Sequence, residues 1–247
     1  MAATKAGKIL ITEAKRGLGL EMIKQLSENS CPNQHIFAAC RDPDVPNSES
    51  MSNTNTLMFV LLLLDADDPS SVKDFAKKVG SLLGNNGLNQ LVNNADRNRK
   101  LIEIESIVKS FKATNCHLLV WPEYLPYLQM AAKASGTPGM SSNKAAVMKI
   151  FSVVGSISTM PSIYEQFPTL PYGASKAGCN MLTVLAAEEF TADEILCMAL
   201  HPGWVKTELG GVNDPLTWIQ TGSGGYGDLG IREKQTNISI DAILLMM

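Results

Sequence analysis

Short runs of apolar residues alternate along the chain with longer segments in which apolar residues recur at helical spacing. The short runs predict six β-strands, at residues 8–12, 35–40, 57–64, 90–93, 145–151 and 195–200. The third run is apolar throughout, which is typical of a strand buried on both faces of a parallel sheet. Because strands and helices alternate, the pattern predicts an α/β fold: a doubly wound parallel sheet with helices on both faces, in a single domain.

The helical spacing predicts four helical regions, at residues 20–26, from Asp68-Pro69 onward, over 102–134, and from near Tyr172 onward. Pro122 and Pro126 are expected to kink or interrupt the third region. The second and fourth helices are each expected to bury an apolar stripe. These stripes are Val72, Phe75, Ala76, Val79, Leu82 and Leu83 in the second helix, and Ala177, Met181, Leu182, Leu185 and Ala186 in the fourth.

Length, charge and apolar runs give no sign of a nucleic-acid-binding, membrane-spanning or secreted protein. The 247 residues suffice for one large α/β domain, and a net charge of -3 gives no reason to expect nucleic acid or an anionic membrane as a partner. The longest apolar run, at 57–64, is far too short to span a bilayer. Residues 1–7 lack the apolar stretch of a secretory signal, so we expect a cytoplasmic protein.

The metal-ligating residue types are scattered. The five cysteines never form Cys-x-x-Cys, which argues against a disulfide framework and against a zinc site. His35, His117 and His201 lie far apart and lack the spacing of metal ligands. We therefore expect no metal site.

Glycines and polar side chains stand where several predicted strands end. They are the glycine turn after Thr12, Asn93-Asn94, Ser152 and His201-Pro202-Gly203. In a doubly wound sheet, ligands bind beyond the carboxyl ends of the strands. We therefore expect these groups to gather at one edge of the sheet.

Tyr172 and Lys176 lie four positions apart on a predicted helix and so share one face. An ammonium held that close favours the phenolate and lowers the pKa of a tyrosine from about 10. A hydroxyl from another segment, such as Ser152, could help to bind a reacting oxygen. The three groups then supply a proton donor, a group that tunes it and an oxyanion stabiliser. The alternative interpretation of Tyr172–Lys176 is an ordinary helix start.

Taken together, these motifs resemble the short-chain dehydrogenase/reductase family over roughly residues 8–213. The matching motifs are Thr12-(x)4-Gly17-Leu-Gly19, Asn93-Asn94-Ala95, Ser152-Val-Val-Gly155, Tyr172-(x)3-Lys176 and His201-Pro-Gly203. Arg41-Asp42-Pro43 and the segment at 201–211 are similar to the branch of carbonyl reductases that includes sniffer and the bacterial cell-contact factor. The resemblance implies a Rossmann-type fold and hydride transfer from NADPH to a small aldehyde, ketone or quinone. It also implies a homodimer or homotetramer.

The resemblance assigns expected roles residue by residue. Tyr172 would be the general acid, Lys176 would lower its pKa and bind the nicotinamide ribose, and Ser152 would hold the substrate oxygen. Asn115 is the candidate for the helix asparagine that holds a proton-relay water, although counting along the chain also allows Thr114 or Ala113. The expected cofactor contacts are Thr12, Arg16, Gly17, Leu18 and Gly19 in the phosphate-binding turn, Asp65 at the adenine, Asn93 and Ala95 beneath the adenosine ribose, and Pro202, Gly203, Val205 and Thr207 at the carboxamide.

The expected choice of cofactor rests on two arginines. NAD-specific folds usually end the second strand with an acid that binds the ribose 2′-hydroxyl, whereas this chain has Arg41 there and Arg16 in the glycine turn. Two guanidinium groups suit a 2′-phosphate, so NADP is favoured over NAD. The alternative is that both arginines are solvated surface residues.

The chain departs from the family pattern at several places. Glu13 replaces the first glycine of the turn, and Asp96 follows Asn93-Asn94-Ala95 where the family has glycine. A carboxylate about 5 Å from the pyrophosphate would oppose cofactor binding by roughly 1 to 3 kcal/mol. Residues 208–247 form an atypical C-terminal region, in which 238–245 could supply a seventh strand.

Two further hypotheses stay open beside the carbonyl reductase. Because of Glu13, Asp96 and the altered C-terminus, the chain could be a catalytically impaired homologue that keeps the fold and dimerises through its two long helices. An epimerase or dehydratase of the extended relatives is disfavoured, since the chain has no room for their substrate domain.

Overall fold

A computed structural model describes residues 7–28, 34–41, 58–65, 68–94, 120–165, 168 and 170–202. Within them lie six strands: β1 (Lys8–Thr12), β2 (His35–Cys40), β3 (Met58–Leu63), β4 (Gln90–Asn93), β5 (Ala146–Ile150) and β6 (Leu196–Leu200). They form one sheet in the order β3-β2-β1-β4-β5-β6, and every neighbouring pair is parallel. The predicted parallel sheet is confirmed. The strand order reverses between β1 and β4, and in doubly wound sheets ligands bind beyond the carboxyl ends of the strands at such a reversal.

Helices cover both faces of this sheet. The helices are α1 (Gly17–Glu28), α2 (Pro69–Leu83), α3 (120–134), α4 (Met160–Ile163) and α5 (Leu170–Glu189). Side chains of β1 alternate between two buried clusters: Ile9 and Ile11 pack with α1, whereas Leu10 packs with α2 and α3. This alternation follows from the two-residue period of a strand and confirms the prediction of helices on both faces.

The start of α2 agrees with the sequence prediction. The carboxylate of Asp68 accepts a hydrogen bond of 2.9 Å from the backbone N–H of Ser70, and Pro69 takes the first helical position, where its missing N–H costs nothing. The predicted stripe is buried with one exception. The exception is Leu82, which is 40% exposed.

Residues 120–134 form one continuous helix through Pro122 and Pro126. The predicted interruption is therefore wrong. Both prolines occupy exposed positions. Water can therefore reach the carbonyl of residue 122, which loses its helical donor because Pro126 has no N–H. The earlier part of the predicted region, residues 102–119, lies outside the described residues.

The inward face of α5 agrees with the predicted stripe at Ala186, which is buried, but differs from it elsewhere. Met181 and Leu185 are 59% and 55% exposed, whereas the buried positions include Ser175, Lys176 and Thr183. Backbone carbonyls make this polar face tolerable: Thr183 Oγ1 donates to the carbonyl of Cys179 over 3.1 Å. A buried polar group with a hydrogen-bond partner costs little, so hydrophobicity alone did not identify the buried face.

An ion pair lies at the amino ends of β5 and β6, at the end of the sheet opposite the carboxyl ends of the strands. Glu194 has a left-handed backbone with φ of 54°, and its carboxylate binds the ammonium of Lys144. It also accepts a hydrogen bond of 2.8 Å from the N–H of Gly139. Lys144 is 5% exposed and donates to the carbonyl of Thr137 over 2.8 Å. The hydrogen bond from Lys144 holds the pKa of Glu194 below its ordinary value.

Candidate active site

Six of the predicted site residues stand at the carboxyl ends of the strands or just after them. Thr12 ends β1 and Asn93 ends β4, whereas Arg41, Asp65, Ser152 and Pro202 follow β2, β3, β5 and β6 respectively. Since all strands are parallel, these ends form one edge of the sheet. The expected gathering at one edge is therefore observed for the described residues.

A hydrogen-bonded bridge joins the ends of β1 and β4. The backbone N–H of Asn94 donates to Thr12 Oγ1 over 3.0 Å, and Asn94 Nδ2 donates to the carbonyls of Thr12 (3.1 Å) and Glu13 (3.3 Å). Asn94 thus fixes the backbone at the point where the turn begins. Its role was missed in the sequence, where only the repeated Asn93-Asn94 pair marked the position.

The glycine turn leads from β1 into α1 and packs closely against the backbone of Glu13 and the side chain of Asn94. Gly17 begins the helix with φ of 51°, a conformation that favours glycine. A Cβ at Gly19 would lie 2.4 Å from the carbonyl oxygen of Glu13 and 2.7 Å from Asn94 Nδ2, so only glycine fits there. The first turn of α1 contains no acidic residue, and its backbone N–H groups suit an anion such as a pyrophosphate.

Glu13 has a left-handed backbone with φ of 52°, and its carboxylate contacts both predicted phosphate-binding arginines. Its Oε1 lies 2.9 Å from Arg16 Nε and 3.7 Å from Arg41 Nη2. The sequence predicted that the two arginines bind one phosphate group, but it gave no sign that Glu13 contacts both of them.

Two glycines bring Ser152 to the helix that carries Tyr172 and Lys176. Ser152 Oγ accepts a long hydrogen bond of 3.4 Å from the N–H of Val154 and caps the short 3-10 helix Val153–Gly155. A Cβ at Gly155 would lie 2.5 Å from the carbonyl carbon of Lys176, and one at Gly173 would lie 3.1 Å from the carbonyl oxygen of Val154. The segment after Ser152 therefore packs directly on the backbone of α5.

Lys176 is buried, with 3% of its surface exposed. Its Nζ lies 3.4 Å from the carbonyl oxygen of Ile150 and 5.5 Å from the centre of the Tyr172 ring. The predicted proximity of ammonium and phenol is therefore present. An ammonium held in a dry environment acts strongly on charge that develops nearby, because little water screens it.

A family model for short chain dehydrogenases matches residues 7–215. The chain belongs to the short-chain dehydrogenase family. The resemblance inferred from the motifs is thereby confirmed, and with it an oxidoreductase family.

Among solved structures, this short-chain dehydrogenase is similar to an NADPH-bound carbonyl reductase from chicken fatty liver. The two are 34% identical with a TM-score of 0.80, over 87% of this chain and 82% of the other. The carbonyl reductase Sniffer of D. melanogaster is 28% identical with a TM-score of 0.77, over 85% and 86% of the chains. A curated relative, the short-chain dehydrogenase anuI of Penicillium roqueforti, is 25% identical over 85% of this chain and 83% of its own.

The described part of the site fits a nicotinamide dinucleotide. The glycine turn offers helix N–H groups to a pyrophosphate, and the two arginines lie beside it. In addition, the buried Nδ2 of Asn93 has no hydrogen-bond acceptor within the described ranges, and it stands at the end of β4. An orphaned donor at this edge is consistent with a site that a ligand completes.

Several predictions lie outside the described residues. They concern Ala95 and Asp96, the helix Asn115 with its alternatives Thr114 and Ala113, the loop residues Gly203, Val205 and Thr207, and the C-terminal region 208–247. These assignments stay predictions, as do the oligomeric state and the cytoplasmic location. No helix in the described ranges is long and apolar enough to cross a membrane.

Proposed function

We propose that this short-chain dehydrogenase reduces small carbonyl compounds, such as aldehydes, ketones or quinones, with NADPH. The observation that carries the proposal is the buried ammonium of Lys176 beside the Tyr172 ring, on a helix against which Gly155 packs the segment that follows Ser152. A proton donor, a charge that stabilises its conjugate base and a hydroxyl lie on adjoining segments. That combination suits protonation of a carbonyl oxygen.

In the proposed reaction, Tyr172 donates the proton of its Oη to the carbonyl oxygen. Lys176 stabilises the phenolate that Tyr172 becomes, because the ammonium is buried and its charge is weakly screened. Ser152 donates a hydrogen bond from Oγ to the same oxygen and so stabilises the negative charge that develops on it. The nicotinamide, when bound, supplies the hydride.

NADPH is proposed as the cofactor because Arg16 and Arg41 approach the same carboxylate oxygen of Glu13, beside the end of β2. Guanidinium groups bind phosphate through paired, charge-assisted hydrogen bonds, and the 2′-phosphate distinguishes NADPH from NADH. The similarity to a carbonyl reductase whose structure contains NADPH supports this choice. Thr12, Gly17, Leu18 and Gly19 are proposed to hold the pyrophosphate, with Asp65 at the adenine and Asn93 near the ribose.

The decisive variant is Tyr172→Phe, which removes only the proposed proton donor. We expect turnover of a quinone or aldehyde to fall by at least about 100-fold, because general acid catalysis contributes a factor of that order. NADPH affinity, measured by calorimetry, should stay within about twofold, since the ring remains. Tyr127→Phe on α3, which makes the same chemical change elsewhere, is the control.

Two results would overturn the proposal. Retained turnover in Tyr172→Phe would mean that another group donates the proton. The second test is thermal: a cofactor at 100 times its dissociation constant should stabilise the fold by about 2.7 kcal/mol. No thermal shift with millimolar NADPH or NADH would instead favour the catalytically impaired homologue.

A further inference from the structure

Glu13 is the least exposed member of a three-residue cluster at the predicted 2′-phosphate position. Its side chain is 21% exposed, whereas those of Arg16 and Arg41 are 53% and 47% exposed. Both guanidinium groups approach the same carboxylate oxygen, Oε1. The positive charge that the two arginines present to an incoming anion is therefore partly neutralised by the carboxylate of Glu13.

The backbone fixes the position of Glu13. Asn94 Nδ2 holds its carbonyl, and the N–H of the following residue, Ala14, donates to the carbonyl of Ala39 in β2 over 2.9 Å. Because Thr12 pairs in register with Ala39, the residue after Thr12 lies alongside the end of β2, where Arg41 follows. The ion pairs thus follow from the pairing of β1 with β2.

We infer that Glu13 is a specificity-determining residue of the cofactor site, and that its carboxylate lowers the preference for NADPH over NADH. The inference rests on the proposed function. A 2′-phosphate must compete with the carboxylate for Arg16 and Arg41, and it is repelled by it at short range. The 2′-hydroxyl of NADH carries no charge, and a carboxylate at this edge can accept its hydrogen bond.

This effect differs from repulsion of the pyrophosphate, which the sequence alone suggested for Glu13. The pyrophosphate is common to both cofactors, so its repulsion would weaken NADPH and NADH equally. The observed contacts direct the carboxylate to the arginines. The ratio of the two affinities therefore separates the two effects.

The test is calorimetric titration of the purified protein and of Glu13→Gln with four ligands: NADPH, NADH, adenosine 2′,5′-bisphosphate and adenosine 5′-monophosphate. We expect Glu13→Gln to bind NADPH and the bisphosphate about five- to tenfold more tightly, because one near-surface charge repulsion is removed. Affinity for NADH and for the monophosphate should stay within about twofold. Both expectations are independent of turnover.

Two further variants serve as controls. Glu21→Gln on α1 makes the same change of charge at a side chain paired with Lys24, and it should leave all four affinities unchanged. In the background of Arg16→Met with Arg41→Met, Glu13→Gln should gain less affinity for the bisphosphate, since the arginines that it releases are gone and only the direct charge repulsion is removed.

The outcomes separate the inference from the function on which it rests. Equal gains for NADPH and NADH would overturn the inference in favour of pyrophosphate repulsion, and unchanged affinities would show that Glu13 does not select the cofactor. In both cases the proposed function stands, because cofactor binds. Failure of every variant to bind NADPH and NADH overturns the proposed function, and the inference with it.

Discussion

Two glutamates with left-handed backbones stand at opposite ends of the sheet: Glu13 after β1 and Glu194 before β6. Each forms an ion pair with basic side chains, yet the partners differ. Glu194 meets Lys144, which is almost fully buried, whereas Glu13 meets two arginines that are about half exposed. The backbone conformation is the same, and the surroundings of the partner distinguish the two sites.

The difference indicates that the ion pair at one end of the sheet stabilises the fold, whereas the ion pairs at the other end affect ligand binding. A buried ammonium needs a partner, so Glu194 and the carbonyl of Thr137 serve to keep Lys144 inside the fold. Exposed arginines are hydrated and need none, so their pairing with Glu13 adds little to stability. It instead alters what those arginines can offer to a ligand.

In the comparison of the two ends of the sheet, the largest effect is expected at Gly155, which packs the segment after Ser152 against α5. Gly155→Ala should lower turnover by about 10- to 100-fold, because the added Cβ meets the backbone of α5 and displaces Ser152 from Tyr172. Overpacking against backbone should also destabilise the fold by about 1–3 kcal/mol. Turnover assays and urea denaturation measure both.

Gly7→Ala is the matched control for Gly155. A Cβ there makes only ordinary contact, 3.6 Å from the Cβ of Asn89. Gly7 lies just before β1, at the end of the sheet away from the candidate site. If Gly155→Ala keeps wild-type turnover, the contact with α5 does not position Ser152.

The comparison of the two glutamates is sharpened by making the same substitution at each. Replacement by glycine relieves the left-handed backbone in both cases, by roughly 1 kcal/mol. Glu13→Gly should raise the melting temperature slightly, because the exposed ion pairs that it loses are worth less than the strain that it relieves. Glu194→Gly should lower it by several degrees, since Lys144 is left buried without its carboxylate partner. Equal shifts in melting temperature in the two variants would show that the two ion pairs contribute equally to stability.

A smaller effect is expected in the dependence of stability on pH. The hydrogen bond from Lys144, aided by the N–H of Gly139, lowers the pKa of Glu194 from its ordinary value of 4.5. A carboxyl whose pKa is lower in the folded state contributes stability above its unfolded pKa, and this is lost as the pH falls through the folded value. The melting temperature of the wild type should therefore decrease below about pH 5.

Lys144→Met removes the donor and should remove this contribution to the acid dependence. Melting curves between pH 3 and pH 7, about the range over which carboxyls titrate, provide the measurement. A variant that loses stability in acid as steeply as the wild type would show that the ion pair is not responsible.

Much of the fold could be predicted because strands buried in a parallel sheet have a simple signature. The predicted limits of β1, β2 and β4 agree with those observed, since apolar runs end where the chain leaves the sheet. The inward face of α5 was predicted only in part, since Ala186 is buried as expected but Met181 and Leu185 are exposed. Hydrophobicity did not indicate that Ser175, Lys176 and Thr183 are buried. The two hydroxyls donate to carbonyls one turn earlier in the same helix, and Lys176 Nζ donates to the carbonyl of Ile150, which only the folded chain supplies.

The proximity of Tyr172 and Lys176 could be predicted, because a spacing of four residues on a helix defines it. The contact of Glu13 with Arg41 could not be predicted, because it depends on residues far apart in sequence that meet through strand pairing. The helix asparagine and the loop after Pro202 lie outside the described residues, and their assignments still rest on the resemblance.

The close packing of Gly19 against the turn has a consequence for how this protein could evolve. The turn depends on the missing side chain at Gly19 and on the clamp from Asn94, whereas position 13 tolerates a large side chain at the cost of a left-handed backbone. Position 13 therefore carries a side chain without loss of the turn. Because its side chain contacts the two arginines proposed to bind the 2′-phosphate, a single codon change there would alter the proposed preference between NADPH and NADH.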